Sequence, residues 1–300
     1  MESRKGTLFI VSTPIGNLKD ITLRALDVLS TVDLIAAEDT RRTRKLTSHY
    51  NIHKPMISYH EHSSPAKDEE IVSRLKQGEN IAVVTDAGTP GLSDPGFRLI
   101  KRVIEEGLNL TVIPGPSAIL TALLLSGLPP VPFVFLGFPP HRGSPRRAFF
   151  DRYKDLPFTR ILFESPVRLI KTLEEITRLW GNPYVCVARE LTKVFEETVR
   201  GSAVEVIQVF KERKEEIKGE ITIVVEGAKV SEALSSKHLP DSEESLNSLD
   251  PLIREFLQEN PSMPPGELAK KIASISGIPK RRIYARIVEL TKKQDGHDRT

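Results

Sequence analysis

Between Gly6 and Pro114 the chain alternates four short apolar runs with four amphipathic ones, and few architectures accommodate that rhythm. The apolar runs are Thr7–Ser12, Asp33–Ala37, Asn80–Thr85 and Asn109–Ile113. Each is too short for a buried helix, so each is a predicted strand. Thr22–Ser30, Thr40–His49, Ala66–Gln77 and Pro95–Glu106 carry apolar residues at helical spacing. Gly78 and Gly107 stand just past two of these helices, where a left-handed residue ends the turn. Strands interleaved with helices predict an α/β fold whose sheet has substantial parallel pairing.

A second α/β block follows. Phe133–Gly137, Arg160–Phe163, Tyr184–Ala188, Glu196–Gly201 and Glu220–Glu226 read as strands; Ser144–Tyr153, Pro166–Leu179 and Ser202–Lys211 read as helices. From Lys229 to Asp250 periodicity is lost and Ser, Glu and Asp accumulate, a linker composition. Three short helices close the chain: Pro251–Gln258, Gly266–Ala273 and Pro279–Leu290. The last two are joined by Ser-Ile-Ser-Gly-Ile, with Ala269, Ala273 and Gly277 at small-residue positions, as in a helix-turn-helix pair. The expected organisation is therefore an N-terminal α/β domain at residues 1–116 and a second α/β domain at 117–228. A polar linker at 229–249 and a small, basic, all-α helix-turn-helix module at 250–293 complete it.

Composition excludes several classes. The single cysteine, Cys186, rules out an intrachain disulfide and a thiolate metal cluster. His60-Glu61-His62 is a close histidine pair without further ligands at metal-site spacing, so no metal is expected. Leu110–Pro140 contains no Asp, Glu, Lys or Arg, yet its prolines confine any helix to Ser117–Ser126. That helix spans about 15 Å, half of what a membrane requires. The stretch is predicted to be a buried strand–loop–helix–strand core. The apolar run after Arg4-Lys5 is shorter than a signal-peptide core, and a cytoplasmic address without membrane association is expected.

Net charge is only +3, which by itself does not advertise a nucleic-acid partner. Charge is uneven, however. Lys270 to Lys293 holds eight basic residues and one acid, Glu289. Two readings of that patch stand side by side: a solvated helix face, or a phosphate-contacting module using Lys280, Arg281, Arg282 and Arg286.

The chain has no G-x-G-x-x-G after a strand, no P-loop and no G-x-S-x-G elbow. It has instead three loops of Gly, Pro and small residues directly after predicted strands: Ser12–Leu18, Asp86–Gly96 and Pro114–Ala118. In an open α/β sheet ligands settle beyond the carboxyl ends of the strands, and loops without bulky side chains let backbone groups approach them. Loops of this kind, with no Lys or Arg to neutralise phosphate, suit a compact neutral or zwitterionic cofactor better than a polyphosphate.

Eight strings in order make the chain recognisable: TPIGNLKDIT (Thr13–Thr22), EDTRRTRKL (Glu38–Leu46), DAGTPGLSDPG (Asp86–Gly96), IPGPSA (Ile113–Ala118), FLGFPP (Phe135–Pro140), FESPVRL (Phe163–Leu169), ARELTKVFEE (Ala188–Glu197) and KGEITIVVEG (Lys218–Gly227). They resemble the ribosomal RNA branch of the tetrapyrrole methylase superfamily. The resemblance implies two α/β domains with S-adenosyl-L-methionine in the cleft between them, and a homodimer. It also implies methyl transfer to the 2′-hydroxyl of a cytidine ribose in the decoding region of 16S ribosomal RNA, presented as RNA or as the 30S subunit. Carried over by position, the cofactor contacts are Pro14, Gly16, Asp86, Ala87, Gly88, Thr89, Pro90, Gly91, Ser117 and Ala118, with Phe163, Ala188, Ile221 and Thr222 around the adenine and ribose.

A ribose hydroxyl is a weak nucleophile and some group must accept its proton. The ionisable candidates inside these motifs are Glu38, Asp39, Glu164, Glu190, Lys193 and Glu196, among which the sequence does not choose. Arg41, Arg42 and Arg44, together with Arg142, Arg146 and Arg147, are candidate phosphate contacts, Arg being suited to bidentate pairing. Two other functions are compatible with parts of this pattern: a methyltransferase for a tetrapyrrole or its precursor, and a helix-turn-helix regulator with a ligand-sensing α/β part.

Overall fold

The computed structural model describes residues 5–213, 217–228, 249–259, 263–276 and 280–295. The chain divides into two compact units, Met1–Ala228 and Lys229–Thr300. The polar segment expected at 229–249 lies, apart from its last residue, outside the described residues.

The first unit opens with a five-stranded sheet made of β1 (Thr7–Val11), β2 (Leu34–Ala37), β3 (Met56–Ser58), β4 (Ile81–Val84) and β5 (Asn109–Ile113). Their order is β3-β2-β4-β1-β5 and every pairing is parallel. Four helices alternate with the strands: α1 (Leu23–Thr31), α2 (Thr40–His49), α3 (Pro65–Lys76) and α4 (Phe97–Glu105). Neighbouring residues of each strand point to opposite faces. Accordingly Leu8, Ile10, Ile81 and Val83 pack with Ile71 and Leu75 of α3 and Leu99 and Val103 of α4. Val11, Ala82 and Val84 pack with Ala25 and Leu29 of α1 and Leu46 of α2. Strands buried on both faces explain why these segments read as continuous apolar runs. Strand β3 was not anticipated: three residues at a sheet edge are too few to show a period.

The second sheet contains β6 (Phe133–Phe135), β7 (Thr159–Glu164), β8 (Tyr184–Arg189), β9 (Glu197–Ser202) and β10 (Ile221–Val225), in the order β6-β7-β10-β8-β9. Here only β6 and β7 run parallel; the remaining pairs are antiparallel. Helices α6 (Gly143–Tyr153), α7 (Leu169–Trp180) and α8 (Ala203–Lys211) cover one face, where Phe150, Leu173, Ile176, Val206 and Phe210 meet Leu162, Val187 and Ile223. The other face, Ile161, Cys186, Ala188 and Val224, is covered by Ala122 and Leu123 of α5 (Ala118–Ser126) and by Ile15 from the loop after β1. Ile15 thus ties the first sheet's loops to the second sheet.

The charge-free stretch is not the uniform core that its composition predicts. Ser117 caps α5 and its inner face is buried, but Val112, Leu120, Leu124, Val131 and Phe133 are exposed. Among the described residues no helix is long and apolar enough to cross a membrane.

The described residues of the second unit form three helices, α9 (Asp250–Glu259), α10 (Pro265–Ser276) and α11 (Lys280–Asp295). Ile253, Leu268, Ala269, Ile272, Ile283, Ile287 and Leu290 form its small core. Helix α11 runs on to Asp295, past the Leu290 end that the pattern predicts. Residues 277–279, including the Gly277 position, lie outside the described residues.

Candidate active site

Strands β4, β1 and β5 are adjacent, so the loops leaving their carboxyl ends converge. Thr13 and Gly88 exchange backbone hydrogen bonds at 2.8 and 3.1 Å, and the Thr13 hydroxyl donates to the Thr85 carbonyl at 3.0 Å. The Ser12 and Thr89 hydroxyls meet at 2.8 Å. Gly88 adopts φ +84°, the left-handed region in which a side chain is strained.

Above these loops lies a cavity of about 400 Å³. Its floor and first wall are Ile15, Glu38, Asp86–Thr89 and Leu92–Asp94; the opposite wall is Ser117–Ile119, Phe138, Phe163–Pro166 and Gly219–Thr222. The two α/β halves therefore supply one wall each. Gly219 sits at φ +91°, and a Cβ there would stand 2.3 Å from the Glu190 carboxylate, so this rim closes tightly. Phe163 lies edge-on to Phe135 at 4.9 Å and tilted against Phe138 at 5.4 Å, giving the wall an aromatic lining.

Among the described residues five carboxylates border the cavity, each with a hydrogen-bond or ion-pair partner. Glu38 accepts the Thr85 hydroxyl at 2.6 Å and the Asp86 amide at 3.1 Å. Asp86 accepts the Asp39 amide at 3.2 Å and pairs with Arg42 at 3.3 Å. Glu164, with a fully buried side chain, accepts from Arg168, from the Ser165 amide and from Thr172 at 2.5 Å. Glu220 pairs with Lys193 at 3.1 Å. Burial, then the neighbouring Glu38 charge, raises the Asp86 carboxyl above its ordinary range despite Arg42. Asp94 is raised further, to about 7, by burial and by Glu38, Asp86 and Glu220, with Thr85 opposing.

Nine of the cofactor positions read from the sequence line this cavity: Asp86, Ala87, Gly88, Thr89, Ser117, Ala118, Phe163, Ile221 and Thr222. Pro14 borders instead a smaller cavity of about 110 Å³ with Arg42, Thr43 and Lys45. Gly16 packs against Leu191–Lys193, Gly91 faces Ile100 and Phe97, and Ala188 is wholly buried in the second sheet. Pro90 lies under its loop against Gly96.

Of the proton-acceptor candidates, Glu38 and Glu164 reach the cavity and the other four do not. Asp39 caps α2, and its hydrogen bonds with Arg41 lower its carboxyl to about 2, which leaves a poor base. Lys193 bridges Glu190 and Glu220, and Glu196 accepts the Thr192 amide at 2.5 Å, so both brace the β8–β9 loop. Glu164 needs correction too: its oxygens are already filled by four partners.

Two of the arginine readings are overturned. Arg146 is 2% exposed and spends its donors on Glu175, the Pro140 carbonyl and Thr172. It is a structural cation, withdrawn from any RNA. Arg286 is clasped by Asp250 at 2.6 Å and Glu289 at 2.8 Å within its own unit. Arg41, Arg42, Arg44, Arg142, Arg147, Lys280 and Arg281 are exposed, and Arg282 is half-buried. Sequence reasoning missed Asp94, Phe138, Ser165 and Glu220, although all stand in or beside the motifs quoted for the resemblance.

S-adenosyl-L-methionine fits this lining. The Ser165 hydroxyl is buried with no hydrogen-bond partner among the described residues, an unmet polar group of the kind a ligand satisfies. Gly88 adds no side chain to the cavity, Phe163 and Phe138 offer an apolar face to an adenine, and the surplus of carboxylates suits a cationic sulfur.

Residues 7–207 match the family described as Tetrapyrrole (Corrin/Porphyrin) Methylases. A ribosomal RNA small subunit methyltransferase I from Halalkalibacterium halodurans is 40% identical over 280 residues, 93% of this chain and 94% of that protein. The protein of the same description from Thermotoga maritima is 46% identical over 222 residues, 74% of this chain and 99% of its own length. Among solved structures, a uroporphyrin-III-C-methyltransferase from Thermus thermophilus aligns with a TM-score of 0.51 at 15% identity, covering 75% of this chain and 96% of that one. The last likeness concerns the fold alone.

Proposed function

The chain belongs to the tetrapyrrole methylase family, and on that premise we propose that it methylates the 2′-hydroxyl of a cytidine ribose in the decoding region of 16S ribosomal RNA, using S-adenosyl-L-methionine. The observation that carries this reading is the 40% identity, spread over 93% of the chain, to a protein described as a ribosomal RNA small subunit methyltransferase.

The cofactor supplies an electrophilic methyl group on positively charged sulfur. The chain's own residues do the rest. Asp86–Thr89 and Ser117-Ala118 present backbone groups to the polar edges of the ligand, while Phe163, Ile221 and Thr222 enclose its flat ring. Holding nucleophile and methyl in line supplies much of the rate enhancement. Arg41, Arg42 and Arg44 on α2, with Arg142 and Arg147 on and before α6, steer RNA phosphate towards the cavity mouth. Lys280, Arg281 and Arg282 add affinity from the helical module. The Thermotoga relative matches this chain over a length close to that of the Met1–Ala228 unit, which supports a catalytic unit with an added RNA-holding module.

The protein works in the cytoplasm as a homodimer, on 16S RNA or the 30S subunit. Val112, Leu120, Leu124, Val131 and Phe133 are the exposed apolar positions that a second copy would cover. The tetrapyrrole alternative has the family's description and a likeness of fold behind it, but the relatives matched along most of the chain are described as ribosomal RNA methyltransferases, and basic surfaces serve no purpose towards a small macrocycle. Incubation with methyl-labelled S-adenosyl-L-methionine and 30S subunits, naked 16S RNA or a uroporphyrinogen tests the choice. Label is expected in RNA; label in the porphyrinoid alone would refute the assignment, and cofactor binding without transfer would favour a sensor.

A further inference from the structure

Resting on the RNA methylation reading above, we infer that Phe195 is a positioning residue whose ring stacks on an unpaired RNA base beside the ribose being methylated. Residues 190–196 join β8 to β9, and their tip is bare. Val194 is 94% and Phe195 74% exposed, and among the described residues no Phe, Tyr or Trp is more exposed. The loop beneath them is braced. Glu190 and Thr192 hold φ +51° and +65°, left-handed values that cost energy in residues with side chains. The Lys193 amide donates to the Glu190 carbonyl at 3.0 Å, and the Glu196 amide to the Lys193 carbonyl at 3.1 Å. The Glu196 carboxylate accepts the Thr192 amide at 2.5 Å, and Leu191 is buried with Ile15 against the second sheet. A strained, hydrogen-bonded turn that holds two apolar side chains out in water adds nothing to the core and presents them to a partner.

Its place determines what that partner is. The Asn17 amide donates to the Thr192 hydroxyl at 3.0 Å, and Lys193 reaches Glu220 of the cavity wall at 3.1 Å. The tip therefore stands at the cavity rim, beside the loop after β1. Phe195 is not among the lining residues, so the cofactor leaves it uncovered. Pro14 and Leu18 of the neighbouring loop border the smaller cavity, whose cations are Arg42 and Lys45. The acids next to Phe195 are occupied, Glu190 by Lys193 and Glu197 by Arg189 and Arg213. An exposed ring beside a basic cavity is the pattern that holds single-stranded nucleic acid: cations take the phosphate and the ring takes a base. A 2′-hydroxyl enters a cleft walled by both α/β halves only if its nucleotide leaves the stack, which strips a neighbouring base of its partner. Phe195 replaces that partner. The exposed positions assigned above to a second copy include Val131 and Phe133 at β6, and β6 and β9 are opposite edges of the second sheet.

The test uses the full chain with Phe195→Ala, Phe195→Leu and Phe195→Trp, and takes 30S subunits and naked 16S RNA as probes. In filter binding F195A is expected to lose roughly 5- to 150-fold in RNA affinity, the range for one lost base stack. Its salt dependence should keep the wild-type slope, because no phosphate contact is removed. F195L should be as weak as F195A and F195W close to wild type, since stacking needs a flat ring and not apolar area alone. In turnover the loss should fall on the RNA KM, with kcat and the S-adenosyl-L-methionine affinity within about threefold of wild type. Fluorescence of F195W should be quenched when RNA binds, whereas the wild type, whose single tryptophan Trp180 is buried, should change little. Full RNA affinity in F195A would overturn the inference and leave the methyltransferase reading in place. F195L matching wild type would overturn it too, as would wild-type self-association in sedimentation that F195A abolishes, which would assign the tip to a second copy. A wild type that binds and methylates neither RNA would refute the methyltransferase reading, and the stacking role with it.

Discussion

Arg146 and Glu164 face each other at 3.7 Å with almost no exposed surface, and they share Thr172, which accepts from the arginine at 2.7 Å and donates to the carboxylate at 2.5 Å. The pair fixes the wall of the cavity from behind, because Glu164 also holds Arg168 and the Ser165 amide. Removing one partner of a buried pair leaves the other charged and unsolvated. Arg146→Ala is therefore expected to cost about 3–5 kcal/mol in chemical denaturation. The neighbouring Arg147→Ala, on an exposed side chain, is expected to change stability by less than about 0.5 kcal/mol. Equal small effects would show that Arg146 is not structural.

The Thr13–Gly88 bridge depends on a backbone that only glycine adopts cheaply. In Gly88→Ala the added Cβ meets Ile15 at an ordinary contact distance of 3.8 Å, so strain rather than collision is the cause of any loss. About 1–2 kcal/mol of stability should disappear, read as a lower thermal midpoint. Cofactor affinity should fall by at least tenfold in calorimetry, since Asp86–Thr89 of this loop line the cavity. Unchanged affinity would separate the loop from the binding site.

Acid and base stability should move in opposite senses at two aspartates. Asp94 holds its proton up to about pH 7 in the fold but only to its ordinary 3.8 when unfolded. The folded chain therefore carries the extra proton between about pH 4 and 7, and stability falls as pH rises through that window. Asp86, raised in the same direction, adds to the fall. Asp39 works the other way: its stabilisation is complete above 3.8 and is lost as pH drops towards 2. Urea midpoints at pH 5 and pH 8 should show Asp94→Asn gaining on the wild type by on the order of 1 kcal/mol at the higher pH. Solvent screening of a partly exposed group keeps the figure that small. A parallel pH dependence in both proteins would contradict the raised carboxyl.

Arg41 is 85% and Arg42 63% exposed at the side chain, and each keeps donors free beyond its pairing with Asp39 or Asp86. Replacing both by Ala should weaken RNA binding and flatten its salt dependence by about two phosphate contacts' worth of slope, with stability almost unmoved. Filter binding across a salt series measures this. A change confined to the melting temperature would assign the arginines to the helix alone.

The parts of this fold that could be read in advance are those whose causes are local. Thr40–His49 was bounded correctly because Asp39 caps it and Leu46 and Thr43 mark its buried side. The three Gly/Pro loops pointed to the cavity because a strand end followed by small residues is a local pattern. Features created by distant partners stayed hidden. Arg146 stands in a basic run, and nothing nearby announces that Glu164 and Glu175 will close on it. Asp94 lies inside a recognised motif, yet its carboxyl is raised by burial and by Glu38, Asp86 and Glu220, which only folding brings together. The exposed face around Leu120 and Leu124 looked like core because composition reports apolarity without saying what covers it.

The central claim is the chemistry on RNA, and the most direct measurement maps 2′-O-methyl groups along 16S ribosomal RNA from cells with and without this protein. One cytidine of the decoding region should carry the group in the parent, lack it in the deletion strain and regain it on incubation with the purified chain and S-adenosyl-L-methionine. Identical 16S methylation in both strains, unaltered by the added protein, would contradict the assignment.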